Sequence, residues 1–215
     1  MMHLSKSRRY VCLALALAAT LPLLQGCFGI ALVGATTGAL AVSDRRSIGA
    51  QTDDQAIELK ASARLSPSLK KVSHLNFTSY NRRVLLTGEV PNETVKAQVA
   101  EEVSRIENVQ GIYNELIIAG NSSLASRSSD SYVTSKVKAR FIDAEAFSAN
   151  HVKVVTEAGT VFLLGIVNQR EADAAIRVAR FTSGVQKVVN VLKVESDAEI
   201  RRIENTLANS ATSNK

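Results

Sequence analysis

The sequence predicts an α+β protein built from two tandem copies of one helix–strand–strand–helix–strand unit. Each unit is expected to form a three-stranded mixed sheet packed against two helices. Three observations lead there. The chain of 215 residues repeats itself at a spacing of 76 to 77 residues. Within each copy the apolar period changes from about four, as on a helix, to two, as on a strand. A segment rich in Gly, Ser and Asn, Ala119 to Ser129, separates the copies as a linker should.

The first residues read as processing signal. Lys6, Arg8 and Arg9 precede a 14-residue apolar run, Val11 to Leu24, and then Leu24-Gln25-Gly26-Cys27. That is the order of a secretory signal peptide, residues 1–26. As a helix the run covers about 21 Å, short of the roughly 30 Å hydrocarbon core, so a permanent span is not expected. Removing it takes three basic residues and no acid. The 26 basic residues become 23 against 20 acidic ones, and the net charge falls from +6 to +3. The basic excess is therefore no sign of nucleic-acid binding. Cys12 also leaves, so Cys27 stands alone and no internal disulfide can form. With no Trp and no disulfide, the fold must rest on aliphatic burial.

Residues 27–52 read as an N-terminal tether and linker, with Asp44 to Asp53 its polar, turn-rich part. Gly34 and Gly38 form a GxxxG pair, a helix-packing motif only inside a longer apolar span. The first repeat is placed at 53–119. Ile57, Ala61 and Leu65 form a helical stripe, with Asp53 or Asp54 as N-cap. Leu75-Phe77 and Val84-Leu86-Gly88 alternate as half-buried strands about a turn at Asn81-Arg82. A helix at Glu93 to Ile106 and a strand at Ile112 to Ile118 follow, and the crossover between them makes the sheet mixed.

The second repeat, 130–195 after a linker at 120–129, has the same parts. Val133, Val137 and Phe141 form its stripe and Asp130 its N-cap. Its strands are Val152 to Glu157, Thr160 to Val167 and Val188 to Val194. Its hairpin turn is Ala158-Gly159, and its second helix runs from Arg170 to Phe181. Thirteen identities tie the copies. Asp54, Lys60, Ala63 and Arg64 match Asp130, Lys136, Ala139 and Arg140; His74, Val84, Leu86, Gly88 and Val90 match His151, Val161, Leu163, Gly165 and Val167; Val109, Gln110, Asn114 and Leu116 match Val185, Gln186, Asn190 and Leu192. In the tail, 196–215, Ile200, Ile203 and Leu207 predict a short helix from Asp197 to Ala208, capped by Asp197, before a disordered end.

The αββαβ unit, the G-x-V of Gly88-Glu89-Val90 and Gly165-Ile166-Val167, and the V-x-x-V/I-x-N of Val109 to Asn114 and Val185 to Asn190 resemble the BON domain. Two such units behind a cleavage tetrapeptide like a lipobox resemble the dual-BON outer-membrane lipoproteins. That resemblance implies two tandem BON domains and acyl chains on Cys27. Phe28 stands where Asp would signal inner-membrane retention, so the anchor is expected in the inner leaflet of the outer membrane, facing the periplasm.

Catalytic signatures are missing. There is no HExxH, metal-spaced Cys/His cluster, G-x-S-x-G or P-loop. His74 and His151 occupy matching places, as structural residues with satisfied hydrogen bonds would. The adjacent acids Asp53-Asp54 and Glu101-Glu102 point about 100° apart on a helix and cannot serve one substrate together. No enzymatic activity, cofactor or metal is expected. A hydrolase reading would need His151 and two acids in one cavity.

One surface stands out. Tyr132, Lys136 and Arg140 share the outward face of the second unit's first helix, with Lys138 turned away from Tyr132. The position matching Tyr132 in the first unit is Ala56. A Tyr beside cations suits the headgroup zone of an anionic bilayer, but it also fits a solvated charged face. The resemblance implies anionic phospholipid binding through this helix, by Tyr132, Lys136, Arg140 and, as the weakest member, Lys138; the family often carries Trp where this chain has Tyr132. The alternative is an interaction scaffold whose sheet edges, such as Ile112 to Ile118, meet outer-membrane assembly proteins or peptidoglycan.

Overall fold

A computed structural model describes residues 44–213. The expected signal peptide, the expected acylation site Cys27, the Gly34/Gly38 pair and most of the expected tether lie outside the described residues. Among the described residues no helix is long and apolar enough to cross a membrane.

The first unit comprises α1 (Ile48–Arg64), α2 (Pro67–Val72), β1 (His74–Tyr80), β2 (Arg83–Val90), α3 (Glu93–Ser104), β3 (Gly111–Asn114) and β4 (Ile117–Ile118). The second comprises α4 (Leu124–Ala144), a 3-10 turn (Ala149–His151), β5 (Val152–Glu157), β6 (Thr160–Val167), α5 (Gln169–Arg180), β7 (Lys187–Asn190) and β8 (Lys193–Val194). A last helix, α6 (Asp197–Ser213), follows. In each sheet β2 or β6 is central. Its hairpin partner, β1 or β5, runs antiparallel, while β3 with β4, or β7 with β8, runs parallel on the other side.

The expected third strand is therefore split in two. Asn114 Oδ1 accepts from the Leu116 amide at 3.4 Å, and Asn190 Oδ1 from the Leu192 amide at 2.9 Å. The asparagine of each V-x-x-V/I-x-N motif turns the chain, and in the first unit Leu116 drops into the core. The glycines of the G-x-V motif have an equally local cause. A Cβ on Gly88 or Gly165 would lie 2.0 Å or 2.3 Å from the carbonyl oxygen of His74 or His151. The first two strands are thus free to approach closely only where the side chain is absent.

Two helix starts differ from expectation. α1 begins at Ile48 because Ser47 Oγ accepts from the Ala50 amide, and α4 begins at Leu124 because Ser123 Oγ accepts from the Ser126 amide. Both expected linkers are partly helical as a result. Asp54 and Asp130 are not caps but buried acceptors. Asp130 holds the Ala158 and Gly159 amides at 3.0 and 2.9 Å; Asp54 holds the Asn81 and Arg82 amides, each at 2.7 Å. Both hairpin turns place two residues at positive φ, and a carboxylate from the preceding helix pins each. A short α2, capped by Ser66 with Pro67 in its first turn, adds to the expected elements. The tail also differs: Ser196 Oγ, not Asp197, accepts the Glu199 amide, and helix continues to Ser213.

The strands were expected to be half-buried, but β2 and β6 are buried on both faces. One face of each packs under its own helices. Val84, Leu86 and Val90 join Ile57, Ala61, Val99 and Val103; Val161, Leu163 and Val167 join Val133, Val137, Phe141 and Ala175. The other faces meet each other. Tyr80 and Leu85 pack with Phe162, Leu164, Ile166 and Val191, and Ile200 of α6 closes this third core. The order is helices, sheet, sheet, helices.

Polar ties cross the same seam. Arg45, 6% exposed, donates to the Ile166 carbonyl at 3.0 Å, to Glu171 at 2.6 and 3.1 Å, and to Glu204 of α6 at 3.0 and 2.8 Å. Arg46 turns the other way, to Asp54 at 2.8 Å and over the Tyr80 ring at 4.3 Å. Lys153 reaches Glu58 at 3.1 Å.

Two substitutions probe this account by urea unfolding. Gly165→Ala should cost about 2 kcal/mol or more, because its new Cβ meets backbone that cannot step aside. Asp130→Ala should cost about 2 to 3 kcal/mol by leaving two turn amides without their acceptor, and Asp130→Asn distinctly less.

Candidate functional site

α4 is laid down by its i, i+4 stripe. With Val133, Val137 and Phe141 buried, the neighbouring stripe of Tyr132, Lys136 and Arg140 must face outward. Tyr132 is 65% exposed and is not covered by the first unit. Lys136 Nζ sits 4.8 Å from the centre of its ring and donates to the Ser183 carbonyl; Arg140 donates to the Phe181 carbonyl. Lys138 is exposed but lies about 200° round the helix from Lys136, so it does not join this face.

The bonds to Ser183 and Phe181 bring in a residue that the sequence reading did not single out. Phe181, at the C-terminal end of α5, is 77% exposed. A signal was available, since Phe181 falls outside the buried series of Ala172, Ala175 and Ala179. The face thus presents two aromatic rings and two cations.

The first unit is the internal control. α3 and α5 match at an offset of 76 residues, so Phe181 corresponds to Arg105 and Ser183 to Glu107. Lys60 and Arg64, matching Lys136 and Arg140, are paired with acids: Lys60 with Glu107 at 3.2 Å and Arg64 with Glu102 at 3.1 Å. The second unit has Ser183 and Val178 at those acid positions, and its two cations bond backbone carbonyls instead. One face is charge-balanced and lacks aromatics; the other is cationic and aromatic.

The two histidines, alike in sequence, have different surroundings. His151 Nδ1 stands 3.4 Å from Glu171 Oε1 but is buried without a hydrogen-bond partner, so the satisfied bond expected there is not made. Burial, then the nearby Arg45 guanidinium, lowers the His151 pKa, against the opposing pull of Glu171. Burial alone would raise the Glu171 carboxyl, but hydrogen bonds from Arg45 and the Asn168 amide hold it below its ordinary value. Arg45 engages both Glu171 and Glu204, so this is an ion-pair knot and not a histidine with a free carboxylate. His74 instead lies 3.0 Å from Glu89 and 3.7 Å from Glu157, with Asn76 donating to Glu157 at 2.7 Å. Burial raises the Glu157 carboxyl, and the Asn76 bond and His74 partly offset this.

With this geometry in hand, the family is plain. The BON domain model matches residues 53–120 and 129–196, and the chain belongs to the BON-domain family. It is a dual-BON protein of the DolP type: it is 40% identical to the outer membrane lipoprotein DolP of Haemophilus influenzae, over 84% of this chain and 94% of that one. It is also 36% identical to a 21 kDa hemolysin of Actinobacillus pleuropneumoniae, over 69% and 78% of the two chains. It is 28% identical to the osmotically-inducible protein Y of Escherichia coli, over 71% and 78% of the two chains.

The lowered His151 pKa has a definite sign in stability. Below the ordinary value of about 6.5 the unfolded chain binds more protons than the folded one. The His151 contribution is therefore complete above about pH 6.5 and falls as pH drops through that value toward the folded pKa. Glu171 adds its own loss only below the ordinary carboxylate value of 4.5. The drop in urea midpoint between pH 7.5 and pH 5.5 should be smaller in His151→Gln than in the parent protein.

Proposed function

We propose that this chain is a non-enzymatic outer-membrane lipoprotein, acylated at Cys27 and facing the periplasm. Its second BON domain contacts anionic phospholipid, and it supports outer-membrane integrity. The anchor rests on the Leu24-Gln25-Gly26-Cys27 sequence, and the location on that sequence together with the name of the Haemophilus relative. The lipid contact rests on one observation. Equivalent faces of two homologous domains differ in the features a bilayer surface would read. The second domain has Tyr132 and Phe181 exposed beside Lys136 and Arg140, whereas the first has Ala56, Arg105 and cations neutralised by Glu102 and Glu107.

The physical account is additive. Each cation near an anionic surface adds about 1 kcal/mol of attraction, acting within a Debye length of about 8 Å. The rings supply interfacial burial, with the Tyr132 hydroxyl left in water. An acyl anchor would hold the patch at high local concentration beside the lipid, so a weak second contact is enough.

A second reading, the interaction scaffold, draws on the β4 edge. Ile117 and Ile118 are 44% and 50% exposed there, beside unpaired backbone able to accept a strand from an assembly protein. Cross-linking from this edge in cells that captured no protein would remove that reading.

Co-sedimentation of residues 44–215 with phosphatidylglycerol or cardiolipin vesicles tests the lipid contact. Tyr132→Ala/Lys136→Glu should lower the bound fraction about tenfold or more, Phe181→Ala less, and Lys60→Glu hardly at all. Equal binding by all four proteins would overturn the site.

A further inference from the structure

The seam between the two domains holds a second set of groups with chemistry of its own. His74 and Glu89 pair across β1 and β2, and Glu157 arrives from β5 of the second domain. Glu89 is only 2% exposed and Glu157 only 7%. Among the described residues no lysine or arginine lies within ion-pair distance of either carboxylate; His74 alone faces both. Arg127 lines the cleft beside them but donates to the Ser122 carbonyl at 3.0 Å, so the two nearly buried carboxylates share one imidazole, a costly arrangement.

The spacing suits an ion. Around His74 Nδ1, oxygens of Glu89, Ser122 and Glu157 stand at 3.0, 3.3 and 3.7 Å. One ring nitrogen can satisfy only one of them. Ligands about 2.1 Å from a tetrahedral zinc ion lie about 3.4 Å apart, between the His74–Glu89 and His74–Glu157 separations of 3.0 and 3.7 Å. One ligand atom from each of His74, Glu89 and Glu157 can be chosen with all three within 4.8 Å of one another.

Two further observations point the same way. Thr87, 1% exposed, lies on the same face of the β1–β2 pair, across from Asn76 and two residues before Glu89, and its hydroxyl has no hydrogen-bond partner. An open cleft of about 370 Å³, lined also by Arg127 and Asp130, reaches His74 and Glu157 from solvent and supplies an entry path. The internal repeat shows that the fold does not demand these acids. At the His151 end of the seam the positions matching Glu89 and Glu157 are Ile166 and Tyr80, and both are buried in apolar packing.

We propose that His74 Nδ1 and the carboxylates of Glu89 and Glu157 bind one divalent transition-metal ion, zinc fitting best, and so join the two BON domains. The two carboxylate charges balance the ion, and the neutral imidazole completes a mixed nitrogen–oxygen set of the kind zinc accepts. Asn76 and the Ser122 amide, which donate to Glu157 and Glu89, orient the ligands from behind. Because two ligands come from one domain and one from the other, binding would stabilise the pair in this arrangement by mass action.

The test uses the full-length protein in detergent, stripped with a chelator, dialysed, and titrated with zinc chloride. One zinc per chain and a raised thermal midpoint are expected. Cobalt should give the visible absorption of a tetrahedral nitrogen–oxygen site. Glu89→Gln/Glu157→Gln keeps side-chain shape and should weaken zinc binding at least a hundredfold, while His151→Gln should leave it unchanged. If the double variant fails to fold, Glu157→Gln alone should weaken binding at least tenfold. Failure of the parent protein to take up stoichiometric zinc, or equal uptake by the glutamine variants, would overturn the proposal.

Discussion

The architecture hangs on one apolar contact, the packing of two sheets through faces that an isolated unit would leave wet. Leu85 on β2 and Phe162, Leu164 and Ile166 on β6 have no place in their own helix-covered cores. They exclude water only by meeting each other, and burial of apolar area is the largest favourable term available, since the described residues contain no cysteine. Once the sheets are face to face, the helices of both units must lie outside. The exposure of the Tyr132 face follows from that geometry, as does the approach of Glu157 to His74.

Charge then fixes what hydrophobic packing leaves free. Sheet-on-sheet contact is tolerant of sliding, whereas hydrogen-bonded ion pairs are directional. Arg45 grips the second unit and α6, Arg46 the first unit, and the two are adjacent in sequence. Two neighbouring side chains directed to opposite sides of a seam set the register of one domain on the other. Buried pairs of this sort add less to stability than their distances suggest, since desolvation opposes them. Their contribution here is positional.

Much of each unit was legible from sequence because its determinants are local. Stripes at Ile57/Ala61/Leu65 and Val133/Val137/Phe141, alternating strands, and turns at Asn81-Arg82 and Ala158-Gly159 all announce themselves within a few residues. Repetition of the pattern supplied the second copy. What could not be read was long-range. Asp54 and Asp130 sit where a cap would sit, and only the folded hairpin reveals them as turn acceptors. Leu85 and Phe162 break the strict alternation of half-buried strands, a hint of a second buried face, yet nothing nearby says what covers it. Tyr132, Lys136 and Arg140 share a face by helical spacing alone, whereas Lys138, also expected at the site, lies apart from them. Phe181 joins them through bonds spanning more than forty residues, and His74, Glu89 and Glu157 through the domain seam; no period in the sequence encodes either.

Arg45 has one more consequence, and it is mechanical. Any pull reaching the folded part from the amino-terminal side must first pass Asp44, Arg45 and Arg46. The five hydrogen bonds of Arg45 end on β6, α5 and α6 together. They share a load side by side instead of peeling one after another, and the lifetime of the fold under such force is set by its unfolding rate. Force entering at Arg45 is therefore passed to three elements of the second domain at once, ahead of the first domain, which comes next in the chain.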